Sequence, residues 1–166
     1  MSVPAFARQL SKTQYLYETY KLNIRLGQIV MSKPKKYREN YGDRIINNGL
    51  DALKFCQAAN NIFMSEQTTD SNYQKRRSYL MNALALIDNI STVADIFLSL
   101  NYNLDGAKKS QIEKQEEYIG RACREIHLLI RGVMDSDTKI HNGQKETKAP
   151  TKPPNVARNK TKVDTI

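Results

Sequence analysis

Apolar residues recur along the chain at alternating spacings of three and four. The row Phe6, Leu10, Thr13, Tyr17, Tyr20, Ile24, Gly27 and Met31 is large and apolar or aromatic everywhere except Thr13 and Gly27. That period predicts an amphipathic helix over about residues 5–31. A second row on the same segment, Tyr15, Leu22, Leu26 and Ile29, is also apolar. A helix with two apolar sides calls for cover on both, from its own bundle and from a neighbouring subunit. "SKP" at positions 32–34 breaks the pattern, with Ser32 placed as an N-cap and Pro34 suited to a first helical turn.

The second helix is expected over about residues 35–64, carried by Tyr37, Tyr41, Ile45, Asn48, Ala52, Phe55, Ala59 and Ile62. Polar "SEQTTDSN" then reads as a loop, with Thr69, Asp70 or Ser71 as the next cap. A third helix over about residues 71–101 carries Leu80, Ala83, Ile87, Ile90, Ala94 and Phe97. A fourth, over about residues 108–134, opens at "SQIE", where Ser110 and Glu113 have capping-box spacing. Its row is Ile112, Glu116, Ile119, Cys123, Ile126, Ile130 and Val133, with Glu116 the one misfit. After Asp135 the chain turns polar and basic, and residues 136–166 read as a flexible cationic tail. Four long helices with short connections, filling residues 1–135, predict an all-α fold: an up-down-up-down antiparallel four-helix bundle.

Composition sharpens this picture. Seven glycines and five prolines in 166 residues leave few breakers, and Pro150, Pro153 and Pro154 all fall in the tail. Net charge is +9, unevenly spread: residues 1–65 carry +6, residues 66–138 carry −2 and residues 139–166 carry +5. Such a field attracts polyanions, namely RNA, DNA or an anionic membrane. Cys56 and Cys123 sit inside helical patterns without metal-spaced partners, which suits reduced core thiols of a cytoplasmic protein. No apolar run of signal-peptide or transmembrane length is read in the sequence, so no membrane partner is expected.

Catalytic signatures are missing. Neither His127 nor His141 belongs to a Glu-x-x-His pair, and the sequence has no Gly-x-Ser-x-Gly, phosphate loop or Walker lysine. The expectation is a protein that is not an enzyme and uses no metal or cofactor. Positive signal comes from cations: Lys33, Lys35, Lys36 and Arg38 around Tyr37 at the start of the second helix, followed by Arg44, and Lys75, Arg76 and Arg77 at the start of the third. Arg8, Lys12, Lys21 and Arg25 add charge along the first helix, as do Arg121, Arg124 and Arg131 along the fourth. Cations at a helix N-terminus oppose the macrodipole, so two basic starts point to an external anion. Phosphates of a nucleic acid fit that requirement. Tyr37 and Tyr41 could stack on bases, but their place in the apolar row assigns them to the core.

The stretch "PKKYRENYGDRIINNGLDALKFCQAAN" resembles the second helix of a small four-helix-bundle family. That family includes the accessory variability determinant of diversity-generating retroelements and the protein encoded by intervening sequences in bacterial large-subunit ribosomal RNA genes. The likeness rests on Pro34, Lys36, Tyr37–Arg38, Gly42, Arg44–Ile45 and Ala59–Asn60, and extends more loosely over about residues 8–134. The chain departs from the pattern after the fourth helix, where many relatives carry Gly-Trp and this one has "IRGVMDSD". The resemblance implies a ring-like homopentamer with a positive surface. In the retroelement branch it also implies a non-catalytic subunit that binds nucleic acid and associates with the reverse transcriptase copying template RNA into cDNA. Two other roles remain open: a ribosomal intervening-sequence-type protein, and a structural protein–protein interaction module.

Overall fold

The computed structural model describes residues 5–105 and 109–148. The chain is all-helical there, in four long rods. The first is α1 (Ala5–Met31); the second is stacked from a single turn α2 (Lys35–Tyr37), a π-helical turn (Arg38–Gly42) and α3 (Asp43–Asn60). The third and fourth are α4 (Asp70–Asp105) and α5 (Lys109–Lys148). α3 packs on α4, α4 on α5, and α1 on both α3 and α5, so each rod has two neighbours around one core. Leu22, Leu26, Ile45, Leu80, Ile87, Ile90, Phe97, Ile119, Ile126 and Ile130 are all fully buried. Each such side chain contributes about 1.5–3 kcal/mol over its exposed state.

On α1 the inward row is the second one, Tyr15, Leu22, Leu26 and Ile29, joined by Val30 and the fully buried Thr19. Thr19 fits because its hydroxyl donates to the Tyr15 carbonyl at 2.7 Å, leaving no orphaned polar group. Tyr17, Tyr20, Ile24 and Met31, from the row that first signals the helix, face solvent.

In the second rod the expected row drifts. Tyr37 is buried, but Gly42 rather than Tyr41 takes the next inward slot, followed by Ile45, Gly49, Ala52, Cys56 and Ala59. The π turn makes this possible, because one extra residue between Tyr37 and Ile45 shifts the register without breaking the rod. Gly42 is required there: a Cβ would sit 2.6 Å from Val30 Cγ1. Ser32 does not cap this rod; its hydroxyl donates to the Ile29 carbonyl at 2.6 Å and so closes α1 instead.

The helix expected to reach residue 64 stops at Asn60. The Arg76 guanidinium donates to the Ala59 and Ile62 carbonyls at 2.6 and 2.8 Å, which satisfies the end of α3 and turns the chain. Thr69 caps α4 through its hydroxyl, which accepts from the Asn72 amide at 3.3 Å. Ser110 lies within α5, which is described from Lys109 onward.

Two further expectations need correction. Residues 136–148 are not a flexible tail: α5 continues to Lys148. Asp137 and His141 extend its inward row beyond Met134 and are 6% and 5% exposed. The remainder of the expected tail, residues 149–166, lies outside the described residues. α4 also proves long and apolar enough to cross a membrane, since a window within Asp70–Leu100 has mean hydropathy 1.6. Its apolar positions are those of a core helix packed on both α3 and α5, with Leu80, Ala83, Leu84, Ile87, Ile90, Val93, Ala94, Phe97 and Leu98 all buried.

Candidate nucleic-acid interface

The first cation cluster lies on the second rod around its π turn. Lys35, Lys36 and Arg44 are exposed, and Lys33 and Arg38 are half-buried. The burial of Tyr37 fixes the turn, and the cations project around it. Lys36 Nζ lies 4.6 Å over the Tyr37 ring. Arg38 Nη1 approaches Met31 Sδ at 3.6 Å, while its Nε and the Tyr37 hydroxyl are buried without a hydrogen-bond partner. Lys35 and Glu39 form an exposed i,i+4 pair at 3.4 Å, of the kind worth about 0.3–0.5 kcal/mol and readily exchanged for a ligand. Five cations against Glu39 and Asp43 give residues 33–44 a net charge of +3.

The second cluster divides. Lys75 and Arg77 are exposed, and Arg77 reaches the Tyr73 and Thr138 hydroxyls at 3.5 and 3.4 Å. Arg76, expected to contact nucleic acid, is buried at 8% exposure and is committed inside the protein. Its Nε donates to Asp137 Oδ2 at 2.6 Å, in addition to the two carbonyls that end α3. Beside it, Tyr73 stacks on His141 at 4.0 Å between ring centroids, and His141 Nε2 lies 3.0 Å from Asp70 Oδ1. The arginine therefore holds α5 to the start of α4, with its guanidinium directed at protein acceptors instead of at solvent.

Other titratable groups serve the core. Burial pushes the Cys56 and Cys123 thiols up to about 11 and about 12, so both stay protonated at neutral pH, and neither is in a disulfide. Burial likewise lifts the Tyr15 hydroxyl to about 12. Among the described residues no group of three His, Cys, Asp or Glu side chains is placed to hold a metal ion. His127 is half-exposed, 4.0 Å from Asp88. A cavity of about 630 Å³ opens between the 61–69 loop and α5, walled by Ile62, Phe63, Met64, Leu128 and Val133. Its charged wall residues, Arg76 and Asp137, are already paired.

Along the sequence Lys21 and Arg25 are only diffuse charge, but the fold sets each of them against an aromatic ring. Lys21 Nζ lies 5.3 Å over the Tyr17 ring, and Arg25 Cζ lies 5.7 Å over the Tyr118 ring of α5. The i,i+4 spacing of Tyr17 and Lys21 is visible in the sequence; the Arg25–Tyr118 pairing depends on tertiary contact. A hydrogen bond to Glu18 raises the Lys21 ammonium pKa. No family model, no curated protein and no solved structure matches the chain.

Proposed function

We propose that the protein is a non-enzymatic nucleic-acid-binding accessory subunit, a helical scaffold that holds phosphate-binding cations on its surface. The observation that carries this reading is the cluster at residues 33–44, where Lys35, Lys36 and Arg44 are exposed on a rod whose buried side is fixed by the core. Lys33, Arg38, Lys75 and Arg77 extend the contact set. Pairings run in opposite order along successive rods: Tyr15 with Cys56, Asn23 with Gly49 and Val30 with Gly42, then Gly42 with Phe97 and Ala59 with Arg76, then Arg76 with Asp137 and Asp88 with His127. Together they support the up-down-up-down antiparallel arrangement. The exposed residues Tyr20, Ile24 and Met31 support a homo-oligomer, for which the family resemblance suggests a ring-like pentamer. Repetition of a weak cationic surface around such a ring would add affinity through avidity. On the same resemblance the partner is the reverse transcriptase of a diversity-generating retroelement, acting on RNA or cDNA in the cytoplasm.

Binding of short RNA and DNA to the purified protein, followed by fluorescence anisotropy across a salt series, tests the reading. Affinity should fall steeply with salt, and Lys35→Glu/Lys36→Glu/Arg44→Glu should lower the salt slope by about one for each phosphate no longer neutralised. A flat salt response in the parent protein refutes it. The same exposed apolar row favours a second reading, an adaptor whose main partner is another protein. Its mark would be co-purification of a partner that survives nuclease treatment and high salt.

A further inference from the structure

We propose that the outer seam between α1 and α5 is a stacking platform for an unpaired nucleic-acid strand, separate from the cluster at residues 33–44. The inference rests on the nucleic-acid reading above and adds where bases are received and in which form the strand is bound.

Tyr17 is 60% exposed, and Tyr118 is half-buried at the α1 contact. Each ring already carries a cation: Lys21 at 5.3 Å over Tyr17 and Arg25 at 5.7 Å over Tyr118. Lys114 and Arg121, four residues before and three after Tyr118, share its side of α5, and both are exposed. Four cations thus frame two rings. The local carboxylates are Glu18, which is bonded to Lys21 at 2.9 Å, Glu117, three residues after Lys114 and four before Arg121, and Glu125, one turn beyond Arg121. The seam is therefore positive but not uniformly so, which suits a surface that selects by stacking as well as by charge.

The geometry favours a single strand over a duplex. A duplex keeps its base faces stacked inside and offers phosphates, sugars and groove edges to a convex helical seam, none of which gives the rings a face to stack on. An unpaired base can lie on a tyrosine, displacing the cation sideways to meet the adjoining phosphate. Base–aromatic stacking of this kind tolerates any sequence, because every base has a flat π-face. Among the described residues Tyr20, Ile24 and Met31 carry no such ring–cation pair, and they remain the surface for a second copy.

The test uses the full chain and fluorescein-labelled mixed-sequence oligonucleotides: one RNA strand, one DNA strand and the DNA duplex. Tyr17→Ala/Tyr118→Ala should lose about fivefold or more in single-strand affinity per ring removed, with duplex affinity unchanged. Tyr17→Phe/Tyr118→Phe, which keeps both rings, should bind like the parent. A loss confined to the RNA or the DNA strand assigns the platform to that strand. Unchanged single-strand affinity in the alanine variant overturns the platform, as does an equal loss in the alanine and phenylalanine variants. So does an altered oligomeric mass with binding intact, which would make the seam a contact between copies. If Lys35→Glu/Lys36→Glu/Arg44→Glu abolishes binding while the tyrosine variants do not, the platform falls and the broader reading stands. If the parent binds no oligonucleotide, both fall.

Discussion

Removal of the Arg76 side chain should unfold the protein more readily than any surface change. In Arg76→Ala, Asp137 keeps its buried position at 6% exposure but loses the guanidinium at 2.6 Å, and the Ala59 and Ile62 carbonyls lose their donors. Breaking one side of a buried ion pair costs about 3–5 kcal/mol, because the surviving charge loses its compensating cation in a low-dielectric setting. In a domain of this size each kcal/mol moves the melting temperature by about 3 °C, so a fall of roughly 10–15 °C is expected. Circular dichroism at 222 nm during heating measures it. Hydrogen exchange should show the part of α5 after Met134 losing protection first, since Arg76 and the Tyr73–His141 stack hold it. Arg76→Met/Asp137→Leu should recover the part of the loss due to the ion pair, since an apolar pair of similar volume carries no uncompensated charge, while the Ala59 and Ile62 carbonyls still lack their donor. An unchanged melting temperature in Arg76→Ala, together with weakened binding of RNA or DNA, would refute this reasoning and return Arg76 to the phosphate-binding set.

Further expectations follow from packing and charge. Gly49→Ala places a Cβ hard against Asn23 Oδ1, so Asn23 must abandon its bond to the Gly49 carbonyl; chemical denaturation should show a loss of about 1–3 kcal/mol. At Gly120 a Cβ meets nothing within 4 Å, and Gly120→Ala should instead gain about 0.5–1 kcal/mol by intrinsic helix propensity. Burial, then Asp95 and Glu113, hold the Glu116 carboxyl above the usual carboxylate range. For an acid raised by folding, the ionised form carries a cost that is present above the folded pKa and fades as pH falls through it. Glu116→Gln should therefore raise stability at neutral pH by about 0.3 kcal/mol, a small amount because the group is largely solvated, and this gain should shrink in mild acid. A pH series of melting curves on parent and variant checks both sign and size.

The bundle's long rods were legible because their apolar positions keep the helical period. The faces were less so. Both apolar rows of α1 were legible, but not which one faces inward: Thr19 interrupts the buried row, since a hydroxyl that bonds to its own helix looks polar in a sequence yet sits at 0% exposure. Tyr41 is the successor to Tyr37 by helical spacing, and only the π turn hands that slot to Gly42. The end of α5 was hidden for a related reason. Met134, Asp137 and His141 keep the spacing, but two of the three are polar, and their partners Arg76 and Tyr73 lie more than sixty positions away. The same distance concealed the role of Arg76. Read along the chain, "KRR" is one basic triplet; in the fold its middle member turns inward while Lys75 and Arg77 stay outside.

The widened turn at Arg38–Gly42 works as a phase adjuster between core and surface. It absorbs one surplus residue, so Tyr37 and Gly42, five positions apart, both face the core, and Lys35 and Lys36 keep their heading relative to the anchored side chains of α3. Excising one residue there, Asn40 for instance, would restore ordinary α-helical spacing between those two anchors with the same net charge, and the lysines should hold their direction. Excising one from the regular climb of α3 would instead turn everything before it by about 100°. In this protein the heading of the cationic edge tolerates a change of length at one turn and is lost to it along the rest of the rod.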